Sequence, residues 1–72
     1  MMLKVGDMVV WRSSWGTGHP SLAKVKRIEV VEPGQKEGGV SVEEIQWANK
    51  SRIVVDLDNG HWAYGYQIGP TS

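Results

Sequence analysis

The dipeptide Asn59-Gly60 constrains this chain most, because it lies between two runs of β-prone residues, 53–58 and 61–66. A two-residue hairpin turn needs positive φ angles at both central positions, and asparagine and glycine tolerate them best. The pattern therefore predicts an antiparallel hairpin with a type I′ turn. In that register Leu57 faces Trp62, and Val55 faces Tyr64.

The predicted hairpin has one apolar and one polar face, because successive strand residues point to opposite sides. The apolar face would hold Ile53, Val55, Leu57, Trp62, Tyr64 and Tyr66. On the polar face, Asp58 would lie opposite His61, with Asp56 nearby. Facing charges of opposite sign commonly stabilise a sheet. Because no nucleophile or metal-ligand set accompanies this pair, we expect a structural role for it and no enzymatic activity.

Length and composition limit the remaining possibilities. The 72 residues suffice for one small domain spanning positions 1–72. The chain has no cysteine and only two histidines, so we expect no disulfide, no metal site and no cofactor. Eight basic and eight acidic residues balance, which argues against generic affinity for nucleic-acid backbones. The apolar run Met8–Trp11 is too short to span a membrane, and the first residues lack a secretory signal, so a cytoplasmic protein is expected.

Two more strands are predicted in the first half of the chain. Alternation over Met8–Arg12 places Val9 and Trp11 on one side of a first strand. Residues 21–32 form a second β-prone run in which the apolar positions change parity, from Ala23 and Val25 to Ile28 and Val30. Burying all four requires one extra residue in the strand. We therefore predict a β-bulge or sharp bend near Lys26-Arg27.

Residues 42–48 allow two interpretations. Ile45 and Trp47 alternate with polar residues and favour a strand, whereas the capping-box pattern that begins at Ser41 would suit a short helix. A strand implies an odd loop before residue 53, either Asn49-Lys50-Ser51 or a five-residue loop. After the hairpin, residues 65–70 are predicted to form a short turn that places Ile68 in the core.

The segment Ser13–Pro20 is predicted to be a long loop because it is rich in glycine and serine. It lacks the full glycine pattern of a dinucleotide fingerprint or a P-loop. Trp15 is the residue that a plain connector explains poorly. It is either a lid on the core or an exposed contact residue.

Three motifs along the chain are similar to those of a known fold family. They are Gly6-Asp7 followed by Val9 and Trp11, the A-x-V-x-x-I run at 23–28, and the V-x-L-x-N-G run at 55–60. They resemble the Tudor and KOW variety of SH3-like barrels. The resemblance implies an all-β, five-stranded SH3-like barrel with a long first loop and an Asn-Gly last hairpin. Residues 54–68 are also similar to small bacterial and phage proteins, which implies an accessory role.

The resemblance implies binding without catalysis, and three hypotheses about the ligand follow. The first is contact with a protein or peptide through the Ser13–Pro20 loop and the last hairpin, by Trp15, His19, His61 and Tyr66. The alternative, suggested by the KOW likeness, is nucleic-acid binding through Lys24, Lys26 and Arg27 on the second strand. A third is the sequestration of small nucleotides, suggested by the glycine-rich loop and the phage-like segment.

Overall fold

Antiparallel β-strands make up most of the structure, a computed structural model that describes residues 1–13, 18–31 and 39–71. Within these ranges the strands are β1 (Met2–Lys4), β2 (Met8–Arg12), β3 (Pro20–Val30), β4 (Val40–Val42), β5 (Glu44–Gln46), β6 (Ile53–Leu57), β7 (Trp62–Tyr64) and β8 (Ile68–Pro70). Short 3₁₀ helices follow β5 and β7, at Trp47–Arg52 and Gly65–Gln67. The predicted all-β class is confirmed.

The main sheet runs in the order β7-β6-β3-β2-β8, with β4 added to β3 outside this path. The eleven-residue strand β3 joins the two halves of the sheet, because its first half pairs with β2 and its second half pairs with β6. Strands β7 and β8 end the order and do not pair with each other. Strands β1 and β5 form a separate two-stranded ribbon.

The bulge predicted in β3 is confirmed. Val25 pairs with Leu57 and Arg27 pairs with Asp56, so Lys26 is an extra residue in the ladder. The extra residue restores the inward direction of the apolar positions that follow. As a result Ala23, Val25 and Ile28 are all buried, and Val30 packs against the core from a half-buried position.

The predicted hairpin is present, but its two-residue register was wrong by one residue. Val55 pairs with Ala63, and Asp56 with Trp62. The Leu57 amide donates to the His61 carbonyl at 2.8 Å, and three residues, 58–60, form the loop. Gly60 ends that loop with a φ of 85°. A three-residue hairpin loop whose last residue is left-handed is a common alternative to the two-residue turn.

The corrected register changes which side chains are buried. Ala63 faces the core and is fully buried, whereas the predicted core residue Trp62 is 48% exposed and Tyr64 is half-buried. Shifting a strand by one residue exchanges its two faces, which is the physical reason for the error. Tyr66, which the sequence also predicts as a contact residue, lies beyond β7 in the second 3₁₀ helix and is 51% exposed. The core is therefore mainly aliphatic, formed by Leu3, Val9, Ala23, Val25, Ile28, Ile53, Val55, Leu57, Ala63 and Ile68.

Residues 42–46 follow the strand interpretation, and the short helix that the capping-box pattern at Ser41 would begin does not form. Strand β5 contains Ile45, and both Ile45 and Trp47 pack against the core, as the strand interpretation predicted. The predicted loop of three residues at 49–51 is wrong, because the 3₁₀ helix Trp47–Arg52 occupies that segment. Its first amide, that of Trp47, donates to the Met1 carbonyl at 3.0 Å. Ile68 is buried, as expected.

Candidate binding surfaces

A row of three unlike side chains crosses the outer face of β3, β6 and β7. Arg27 pairs with Asp56, and Asp56 pairs in turn with Trp62. All three residues are exposed. Directly opposed residues share one face of a sheet, so a cation, a carboxylate and an indole lie side by side.

The bulge adds a second cation to this row. Regular alternation would turn either Lys26 or Arg27 inward, but the extra residue leaves both exposed. Together these side chains line an open groove of about 430 Å³, which we call the strand-face groove. Its lining residues are Lys26, Arg27, Asp56, Leu57, Gly60, His61 and Trp62.

The charges around the strand-face groove are only partly paired. The Arg27 Nε lies 3.2 Å from the Glu29 Oε1, the one ion pair found between described residues. Asp58 accepts a hydrogen bond from the Lys24 amide at 3.0 Å, and its own amide donates to the Lys24 carbonyl at 2.9 Å. The predicted pairing of Asp58 with His61 is therefore wrong, because the carboxylate ties the hairpin tip to the backbone of β3 instead.

Three aromatic rings continue from the groove towards the chain's last strand. Trp62 and Tyr64 meet edge-to-face with centroids 5.0 Å apart, and Tyr64 stacks on Tyr66 at 5.6 Å. Such contacts favour particular orientations of aromatic side chains. The half-exposed rings of Trp62 and Tyr66 therefore lie at the two ends of an ordered aromatic row.

Tyr66 also lines a second groove on the neighbouring side of the molecule, which we call the loop-side surface. It has a volume of about 240 Å³ and is lined by Val10, Arg12, Tyr66, Gln67, Ile68, Gly69 and Pro70. The Arg12 guanidinium donates to the Gly18 carbonyl at 3.4 Å, so the described end of the first loop adjoins this surface.

Gln67 lies at the gap between β7 and β8, the two end strands of the sheet, which do not pair with each other. Its Oε1 accepts a hydrogen bond from the Tyr64 amide at 3.0 Å, and its Nε2 donates to the Arg12 carbonyl at 3.3 Å. One side chain thus connects the edge of β7 to the end of β2. The contact satisfies a backbone donor on β7 that would otherwise point away from β6.

The imidazole of His61 stacks on Trp11, with ring centroids 5.0 Å apart and planes 28° from parallel. The Trp11 Nε1 is buried, and no acceptor for it is found in ranges 1–13, 18–31 and 39–71. His61 therefore connects the end of β2 with the strand-face groove, whose wall it also forms.

The structure separates the predicted contact residues. His61 lines the strand-face groove with Lys26 and Arg27, whereas Tyr66 belongs to the loop-side surface. The other predicted residues belong to neither surface. His19 and Lys24 are exposed but line neither groove, and Trp15 lies outside the described residues.

Sequence reasoning missed two residues of the strand-face groove, Trp62 and Asp56. The hairpin pattern predicts Trp62 in the core and Asp56 in a structural charge cluster with Asp58 and His61. The signal that could have found Trp62 is the loop length, because a three-residue loop at 58–60 turns it to the outer face, where the hairpin pattern already places Asp56.

Among the described residues, no three His, Cys, Asp or Glu side chains are grouped so that they could hold a metal ion. The same part of the chain contains no helix of the length and apolar character needed to cross a membrane.

Comparison with known proteins identified no similar protein. No protein-family model matches the chain, and no match was found among curated proteins or solved structures.

Proposed function

We propose that the chain is a five-stranded SH3-like barrel of the Tudor and KOW variety that acts as a non-catalytic binding module. The strand path supports this fold, because β2, β3, β6 and β7 pair in succession and β8 returns beside β2. The bend in β3, which pairs with both halves of the sheet, is how a small sheet curls towards a barrel.

The proposed partner is a protein or peptide that contacts the loop-side surface. The observation that carries this proposal is Tyr66, an aromatic side chain that is 51% exposed beside a groove of about 240 Å³. Polar and apolar groups line the groove in nearly equal parts, with Arg12 at its margin next to the first loop. Exposed aromatic residues, and arginine with them, are typical of the anchors of protein interfaces.

A peptide-display library selected against the chain, followed by measurement of affinity for the peptides recovered, tests this function. Tyr66→Ala is expected to weaken binding by about 1–3 kcal/mol, as truncation of an anchor does. Trp15→Ala should do the same without lowering the melting temperature, if Trp15 is a contact residue. A stability loss of about 3 kcal/mol or more would instead identify Trp15 as a lid on the core.

Leu22→Ala is the matched control, because Leu22 is a large apolar residue that is 64% exposed but lines neither groove. Equal losses for Leu22→Ala and Tyr66→Ala would contradict the proposed surface. A library that yields no peptide dependent on Tyr66 or Trp15 would contradict the proposed partner class.

A second candidate function is nucleic-acid binding through Lys24, Lys26 and Arg27. The specific observation in its favour is that Lys26 and Arg27 share a groove with the exposed Trp62. Aromatic rings beside cations are the usual components of single-strand binding surfaces. A salt titration separates the two functions, since phosphate contacts weaken steeply with added salt and aromatic contacts do not.

A further inference from the structure

We infer that the strand-face groove binds one nucleoside phosphate unit, with the base on Trp62, an amino group of the base at Asp56, and the phosphate at Lys26 and Arg27. This inference rests on the second candidate function and does not depend on the peptide contact. It assigns a separate role to each member of the row Arg27, Asp56 and Trp62.

Trp62 supplies the stacking surface. Its ring is 48% exposed, and the edge-to-face contact with Tyr64 at 5.0 Å restricts its orientation. A ring whose orientation is restricted before binding loses less conformational freedom when a base stacks on it. Stacking of this kind tolerates every base, because each base has a π-face.

Lys26 and Arg27 supply the anion-binding end. The Arg27 side chain is 53% exposed, and its Nε lies 3.2 Å from the Glu29 carboxylate. That contact occupies one of the five guanidinium N–H donors, so four remain for phosphate oxygens. Lys26 has no ion pair within the described ranges, and its exposed ammonium adds a second positive charge beside Arg27. Two cations of this kind suit a phosphate group.

Asp56 lies between the cations and the indole, and it explains why the ligand is not simply an anion. A carboxylate accepts hydrogen bonds, and the exocyclic amino group of cytosine is a donor at the position where uracil and thymine carry an acceptor. Asp56 therefore favours an amino-bearing base over uracil or thymine. An ionised acidic side chain has no hydrogen-bond donor for Asp56, so an acidic peptide would not satisfy this carboxylate as the amino group of a base does.

The spacing suits a single nucleotide unit. Neighbouring strands lie about 4.8 Å apart, so the backbones of Arg27 and Trp62, two strands apart, are separated by about 10 Å. The long side chains of Arg27 and Lys26 bring their charges closer to the indole. The groove volume of about 430 Å³ leaves room for one base with its sugar and phosphate. The same chemistry occurs in a free nucleotide and in one residue of a single strand.

The experiment titrates the chain with CMP, UMP, oligo(dC) and oligo(dT) at low salt and follows the Trp62 indole N–H signal by NMR. We expect CMP or oligo(dC) to shift this signal and to bind more tightly than UMP or oligo(dT). Binding of both CMP and oligo(dC) identifies a free-nucleotide site, and binding of oligo(dC) alone identifies a single-strand site. Each result supports the inference.

Variants then assign the roles. Trp62→Ala should weaken oligo(dC) or CMP binding about tenfold or more, as the loss of one base-stacking contact does. Trp62→Phe should restore most of the affinity. Asp56→Asn should remove the preference for cytosine without weakening oligo(dT) binding, because the amide side chain no longer repels phosphate and can donate as well as accept.

Lys4→Ala is the matched control for Lys26→Ala, since Lys4 is an exposed lysine of β1 that does not line the groove. Equal losses for the two variants would show diffuse charge attraction and overturn the inference. An unmoved Trp62 signal with all four probes, or tighter binding of poly-glutamate than of oligo(dC), would overturn it too. Those results would leave the peptide contact at Tyr66 standing, because its library and Tyr66→Ala measurements do not involve this groove.

Discussion

Replacing Gly60 by alanine tests the left-handed residue at the end of the hairpin loop, which lines the strand-face groove. Gly60 has a φ of 85°, and a Cβ added to it would meet no heavy atom within 4 Å. Crowding therefore adds nothing to the cost of the substitution. The cost comes from the backbone alone, since an L-residue in the left-handed region is destabilised by about 1–2 kcal/mol relative to its preferred conformations.

Gly69 provides the control, because a Cβ there also meets nothing within 4 Å but the backbone is not left-handed. Gly69→Ala is expected to be neutral or to stabilise the chain by up to about 1 kcal/mol, through the reduced entropy of the unfolded state. For a domain of this size 1 kcal/mol corresponds to about 4–8 °C, so Gly60→Ala should melt about 4–16 °C below the parent.

Thermal and urea melts followed by far-UV circular dichroism measure both variants. Gly60→Asn should recover part of the loss, because asparagine tolerates the left-handed region better than alanine does. Gly60→Val should cost more than Gly60→Ala, because a β-branched side chain tolerates that region least. If Gly60→Ala and Gly69→Ala melt together, the left-handed loop residue is refuted.

Two further predictions concern contacts around the second 3₁₀ helix. Gly65→Ala should destabilise the chain by about 1–3 kcal/mol, because its Cβ would collide with the backbone carbonyl of Lys50; a thermal melt indistinguishable from the parent would contradict this contact. Gln67→Leu should cost about 1 kcal/mol or more in a urea melt, because the Tyr64 amide loses its acceptor and the Arg12 carbonyl loses its donor. Gln67→Glu, which keeps the acceptor alone, should fall between Gln67→Leu and the parent.

The bulge in β3 could be predicted from the sequence because it follows from a parity count within one uninterrupted run. Ala23 and Val25 have one parity and Ile28 and Val30 have the other, with no turn residue between them. A strand that buries both pairs has to contain an extra residue, whatever the rest of the fold is. The parity of these four residues therefore locates the bulge without any knowledge of tertiary contacts.

The loop length of the hairpin, by contrast, could not be predicted from a local pattern. The dipeptide Asn59-Gly60 indicates the position of the turn, but a left-handed glycine suits both a two-residue and a three-residue loop. What distinguishes the loops here is hydrogen bonding at the tip. The Asn59 side chain accepts from the His61 amide, and Asp58 binds the backbone of Lys24 on the neighbouring strand. The second contact is long-range and was invisible in the sequence.

The 3₁₀ helix at Trp47–Arg52 could not be predicted for a similar reason. Six residues are too few for a periodic pattern, and the segment holds no buried residue of its own. Its position depends on contacts that are distant in sequence: its first amide donates to the Met1 carbonyl, and the Lys50 carbonyl lies against Gly65. Strand β1, which pairs with β5, depends on the same long-range assembly.

The strand-face groove depends on two irregularities in the ladders on either side of β6. Without the bulge, alternation from the buried Val25 would turn Arg27 inward and leave Lys26 as the only outward cation of the pair. With a two-residue turn, Trp62 would enter the core and Ala63 would face outward. Asp56, on the strand between them, would then lie beside a single lysine and a methyl group. A regular sheet of the same sequence could therefore not place two cations, a carboxylate and an indole in one groove, and this is why the candidate site follows from the exact register and not from composition.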